Sequence, residues 1–184
     1  MRTWKTIGKQ PLCQPNRFLA VELHQVELPD GQRIDDWPWV ITPDYVNILA
    51  RDADGRFLVF SQTKYALNGD SLAVPGGFIE PGEEPLVAAQ RELLEETGCT
   101  APEWKALGSY VVDPSRGAGN GHFFLALGAQ RVAEPTGGDL EEQKPLRLTR
   151  KELEAALAAG EFQALAWTAT VALGLLQLPP EPVL

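Results

Sequence analysis

Six glutamates fall between Gly76 and Cys99 in the stretch GGFIEPGEEPLVAAQRELLEETGC, and Glu92, Glu95 and Glu96 are the closest set. On a helix, the period of about 3.6 residues gathers those three within an arc of roughly 100°. Like charges so placed repel, and each pushes its neighbours' pKa upward. A charge run on a helix is ordinarily a solvated face. The other arrangement that relieves the repulsion is a cation among the carboxylates. Mg2+ and Mn2+ suit such a place, because they prefer oxygen donors, keep several waters and commonly meet a phosphate. The Gly76–Gly77 pair can bring a backbone carbonyl to the same ion, since glycine lets the chain approach without a side chain. Arg91 is spaced to reach back to Glu83 and hold the preceding loop onto the helix.

The element that must carry these carboxylates is a helix from Pro85 to Thr97. Pro85 suits a first helical position, Glu83 and Glu84 suit the positive end of the helix dipole, and Gly98 suits the C-terminal stop. The wheel places Leu86, Val87, Leu93 and Leu94 toward a core, on a different side from the carboxylates. Before this helix, the alternation in Arg17–Leu28 and the stretch Arg33–Ile41 read as strands, with Pro38 keeping the second at an edge. DYVNILARD and RFLVFSQTKY flank an ADG turn and form a hairpin. After the helix, WKALGSYVVD and GHFFLALGAQRV are strands, and the glycine-rich PSRGAGNG between them reads as a mobile loop. Thr149 with Glu152 makes a capping box for a helix to Ala159, and a last helix spans about 161–176. Mixed strands, one helix, more strands and then helices amount to an α+β or α/β sandwich.

The chain has 184 residues, enough for one domain with a small appendage. Its net charge of -9 argues against nucleic acid or an anionic membrane as the main partner, while a small phosphorylated ligand stays open through a bridging metal. Cys13 and Cys99 are the only cysteines, no Cys/His metal pattern exists, and no long apolar run occurs. Free thiols in the cytoplasm are the expected setting.

Gly77, Glu83, Arg91, Glu92, Leu93, Glu95, Glu96 and Gly98 fit, in register, the pattern G-x5-E-x7-R-E-U-x-E-E-x-G-U, where U is bulky and aliphatic; only Cys99 departs at the last position. This resembles the Nudix hydrolases. The resemblance implies a Nudix-type α/β/α sandwich with a mixed sheet (43–184), preceded by a small antiparallel β subdomain (1–42) that can serve a homodimer. It implies hydrolysis of a nucleoside diphosphate linked to another moiety, assisted by one to three Mg2+ or Mn2+ ions. Glu92, Glu95 and Glu96 would then be side-chain ligands, with Glu96 also counted as catalytic. The carbonyl of Gly76 or Gly77 would be a further ligand. Gly77, Glu83, Arg91 and Gly98 would support the loop and helix.

Pro114, sixteen residues after Gly98, and the strands ahead of the box resemble ADP-ribose and nucleoside-diphosphate-sugar pyrophosphatases. So does VFSQTKY, although Lys64 stands where those enzymes carry arginine, which keeps the charge and loses the bidentate fork. Such relatives place a catalytic base on a late acidic loop, here GGDLEEQK, so Glu141 or Glu142 is the expected base. Lys64, Trp37, Pro114 and Arg116 are the expected substrate contacts, Trp37 by stacking on a base. The expected reaction gives a nucleoside monophosphate and a sugar phosphate. A pyrophosphatase acting on nucleoside triphosphates, or a Nudix domain that senses a nucleotide without cleaving it, are the alternatives.

Overall fold

The structure, a computed structural model, describes residues 2–137 and 142–179. The strands are β1 (Lys5–Asn16), β2 (Leu19–Glu27), β3 (Arg33–Ile41), β4 (Tyr45–Asp52), β5 (Phe57–Gln62), β6 (Ser71–Ala73), β7 (Gly76–Phe78), β8 (Cys99–Thr100), β9 (Glu103–Asp113), β10 (Gly117–Arg131) and β11 (Gln143–Leu148). The helices are α1 (Pro85–Thr97), α2 (Arg150–Ala158) and α3 (Leu165–Leu176). The chain divides into two compact units. One is Met1–Asp44 with Tyr110–Gly121, and the other is Tyr45–Ser109 with His122–Leu184. Strands β9 and β10 each contribute to both.

In the first unit, β1, β2 and β3 form an antiparallel meander, with Lys5 opposite Glu27 at one end of the first ladder and Ala20 opposite Ile41 at one end of the second. β1 was not expected from the sequence, because Gly8 and Pro11 interrupt its alternation. It lies almost wholly exposed as the outer strand. Pro38 pairs with Leu23 on one side of β3, and on the other β3 meets β10 only through Val40 and Gly117. The proline therefore sits where no second ladder needs its missing N–H. His24 is buried, stacks on Trp39 at 5.0 Å between ring centroids, and shares a hydrogen bond of 2.9 Å with Glu22.

The glycine-rich stretch is not the loop expected from its composition. Pro114–Arg116 make a tight turn, and Gly117 already belongs to β10. A Cβ on Gly117 would press on the Trp39 ring and the Val40 carbonyl, and its φ of +86° is left-handed. Glycine is there to let two backbones approach, which composition alone cannot distinguish from mobility.

In the second unit the sheet runs β10–β4–β5–β11, with β6 on β5 and β7 on β4. Val46, Ile48 and Ala50 of β4 pack with Ala88, Ala89 and Leu93 of α1. On the other face, Leu49 packs with Leu153, Val171 and Leu175 of α2 and α3. Helices thus cover both faces of a mixed sheet, as the α/β reading anticipates. β11 runs antiparallel to β5 from Gln143–Gln62 to Leu148–Phe57. Thr149 and Glu152 close the capping box on α2.

Candidate active site

Helix α1 starts without a side-chain cap. Pro85 occupies its first turn, and Gly98, at φ 69°, ends it by donating its N–H to the Leu94 carbonyl. Its buried face corrects the reading from the wheel. Leu93 is buried as expected, but Leu86, Val87 and Leu94 are 40%, 53% and 36% exposed. The inward stripe is Ala88, Ala89 and Leu93, and at about 100° per residue Glu92 and Glu96 fall on that same stripe. The larger aliphatics were taken to mark the core. In fact the small alanines do, because the helix lies close against β4 and β7 and leaves room beside them for two carboxylates.

The strand they face is β7, whose Phe78, Gly77 and Gly76 pair with Tyr45, Val46 and Asn47 of β4. Gly77 turns toward α1: a Cβ there would collide with both oxygens of the Glu92 carboxylate. A Cβ on Gly76 would run into the Val46 carbonyl and the Asn47 side chain. The Gly76 N–H donates to Glu96 Oε2 at 2.8 Å, which ties the glycine turn to the helix.

Arg91 gathers the remaining acids. Its Nε and Nη2 donate to the two oxygens of Glu83, each at 2.9 Å, as a bidentate fork. Nη2 also donates to the Phe78 carbonyl at 3.1 Å, and Nη1 donates to Glu92 Oε1 at 2.7 Å and Glu95 Oε2 at 3.2 Å. The fork from Arg91 holds the Glu83 carboxyl below the usual glutamate range, and Glu83 in turn raises the Arg91 pKa. The Glu92 side chain is 13% exposed and that of Glu95 48%, so the two are inner and outer members of one cluster.

The late acidic segment meets the box through its backbone. The N–H groups of Thr136 and Gly137 donate to the Glu95 carbonyl at 2.9 and 3.4 Å. Glu141 lies outside the described residues. Glu142 is exposed and immediately precedes Gln143, which pairs with Gln62 at the end of β5, two residues before Lys64. Lys64 is half-buried. The other expected substrate contacts lie together in the first unit. Trp37 donates its indole N–H to the Ser115 carbonyl at 2.7 Å, between Pro114 and Arg116, and meets Trp4 edge-on. Arg116 pairs with Asp113 at 3.5 Å, and its carbonyl accepts from the Val40 N–H. Trp37 is thus already engaged in holding the β9–β10 turn.

Two buried polar atoms lack a partner among the described residues, Asn47 Nδ2 and Gln62 Oε1. Neither was singled out from the sequence. A lone Asn inside the apolar run YVNILA was the available signal for Asn47.

No three His, Cys, Asp or Glu side chains among the described residues converge as a ready cation cage. The donor set still fits a hard divalent ion. Glu92, Glu95 and Glu96 offer only oxygens, and Gly76 and Gly77 bring bare backbone to the same place. No helix among the described residues is long and apolar enough to cross a membrane.

The NUDIX domain family matches residues 41–169. The ADP-ribose pyrophosphatase of Bacillus subtilis (strain 168) is 30% identical over 153 residues, covering 83% of this chain and 80% of its own. The CMP-5'-(N-acetyl-N-hydroxy-3-aminopropyl)phosphonate hydrolase of Streptomyces rubellomurinus is 31% identical over 72% of this chain and 64% of its own. Among solved structures, an ADP compounds hydrolase superposes with a TM-score of 0.79 at 19% identity, covering 94% of this chain and 92% of that one, which is a likeness of fold. With a family match over most of the chain, and with the glycine turn, the Glu83–Arg91 fork and the inward carboxylates in one place, the chain belongs to the Nudix family of hydrolases.

Proposed function

We propose that this protein hydrolyses the diphosphate bond of ADP-ribose or a related nucleoside diphosphate sugar, releasing a nucleoside monophosphate and a sugar phosphate. The observation that carries the reading is the inward stripe of α1. Glu92 and Glu96 are turned toward the Gly76–Gly77 strand rather than to water. The two relatives support the substrate class, because one acts on ADP-ribose and the other on a CMP-linked phosphonate.

In this reading Glu92, Glu95 and Glu96 would hold Mg2+ or Mn2+. A bound divalent ion neutralises charge on the phosphoryl oxygens and makes a water acidic. The chain's own residues do the rest. The Gly76 N–H fixes Glu96, the Glu83–Arg91 fork fixes the turn before the helix, and Lys64 meets a phosphate oxygen as a point charge. Glu142 or Glu141 takes the proton from the attacking water. The first unit exposes Trp4, Ile7, Leu12, Phe18 and Ile41 on and beside its strands, which supports a homodimer through that unit. Cys13 and Cys99 are free thiols, consistent with the cytoplasm.

The deciding experiment compares kcat/KM for ADP-ribose, ADP-glucose, GDP-mannose, ADP and a set of nucleoside triphosphates with Mg2+. A diphosphate sugar is expected to lead, with ADP poor because the far sugar orients the scissile bond. Preference for a triphosphate by about tenfold or more over every diphosphate sugar, some 1.4 kcal/mol of transition-state binding, would overturn the substrate class.

A further inference from the structure

Arg91 makes more bonds than fastening the preceding turn to α1 requires. The fork to Glu83 uses Nε and Nη2, and Nη2 also holds the Phe78 carbonyl; these contacts fasten the turn to the helix. Nη1 does something different. It points to the side and donates to Glu92 Oε1 at 2.7 Å and Glu95 Oε2 at 3.2 Å. Both carboxylates belong to the set proposed to hold metal. One guanidinium therefore compensates three acids, and the Nη1 end occupies oxygens that a metal ion would also use. A cation that takes those oxygens must compete with a positive charge already bonded to them, and its affinity carries the cost of that exchange.

We propose that Arg91 is a resident counter-cation of the carboxylate cluster, and that a divalent ion takes Glu92 and Glu95 by displacing Nη1 while the Glu83 fork stays closed. This rests on the metal-binding reading above and adds a tuning device to it. Arg91 keeps the carboxylates gathered and at the same time sets how readily they accept an ion. The rigid, planar guanidinium suits the task, because releasing one nitrogen leaves the other two aligned with Glu83.

The test uses the full chain and reads binding rather than turnover. Mn2+ dissociation constants are measured by electron paramagnetic resonance for wild type, Arg91→Gln and Glu83→Gln. If Arg91 only fastened the loop, both substitutions would break the same fork and weaken Mn2+ binding alike. As a counter-cation it separates them: Arg91→Gln is expected to tighten binding by about threefold or more, because a like charge leaves the site. Glu83→Gln is expected to weaken binding, because Arg91 is then left to Glu92 and Glu95. Equal weakening by the two overturns the proposal. A second reading needs no variant in the binding assay. In 15N-arginine spectra, with Arg91 assigned by comparison with Arg91→Lys, saturating Mg2+ is expected to shift the Nη1 protons and leave the Nε proton protected. Unmoved Nη1 signals at saturation also overturn it, and they stand even where Arg91→Gln fails to fold. Wild type that binds no Mn2+ at millimolar concentration removes the metal-binding reading itself, whereas binding with Arg91 unmoved removes only this inference.

Discussion

At the scale of single residues, Glu96 is the side chain whose geometry makes the firmest demand. Its Oε2 is held by the Gly76 N–H, so the carboxylate is aimed before any ligand arrives. Glu96→Gln keeps the size and the hydrogen-bond acceptor but loses the charge. Turnover is expected to fall by about a hundredfold or more with little change in melting temperature, and excess EDTA should silence the wild type to the same level. Wild-type turnover by the variant would refute the assignment. The late loop offers a second test. Of Glu141→Gln and Glu142→Gln, one is expected to lower kcat by about 10²–10⁴ while Mn2+ affinity stays near wild type, because a base acts on water and not on the ion. Two fully active variants would place the base elsewhere. The box was legible at this scale because its members are local in sequence, so a fixed spacing becomes a fixed geometry on one helix. Asn47 and Gln62 were not legible, because their burial is decided by strands that pair from a distance.

At the scale of elements, the turn before α1 depends on one fork, and the fork has a pH signature. Glu83 has a folded pKa below its unfolded value of about 4.3, held there by the Arg91 hydrogen bonds. A depressed carboxylate contributes stability that is complete above the unfolded pKa and is lost as pH falls through the folded one. The melting temperatures of wild type and Glu83→Gln should therefore differ near pH 7 and converge as pH drops below about 4. A gap that stays constant to pH 3 would show that the fork contributes nothing to stability. The boundaries of α1 were readable from Pro85 and Gly98, and those of α2 from Thr149 and Glu152, because caps are local chemistry. Which face of α1 is buried was misread. Hydrophobicity ranks Leu above Ala, but a helix that must bring carboxylates close to a strand needs small residues on the approaching stripe. Gly117 was misread for a related reason, since close packing on Trp39 and flexibility draw on the same residue.

At the scale of the whole molecule, the proposed homodimer gives a prediction about mass. The exposed Ile7 and Leu12 come from β1, a strand with no counterpart in the reading from sequence, and the exposed Trp4 and Phe18 flank it. Light scattering at micromolar concentration is expected to give twice the 20.1 kDa of one chain. A species of single mass would leave those side chains without the cover proposed for them. The two units also set an order of events during synthesis. The first takes Met1–Asp44 and then waits for Tyr110–Gly121, and the intervening 65 residues, Tyr45–Ser109, belong to the second. A ribosome delivering about 5–20 residues per second leaves β1–β3 without their final segment for several seconds, while the strand and helix of the box are already outside. Exposed strand edges in that interval invite pairing with another nascent copy. A fragment of residues 1–44 should therefore be less soluble alone than with a peptide of residues 110–121, the segment that completes its unit.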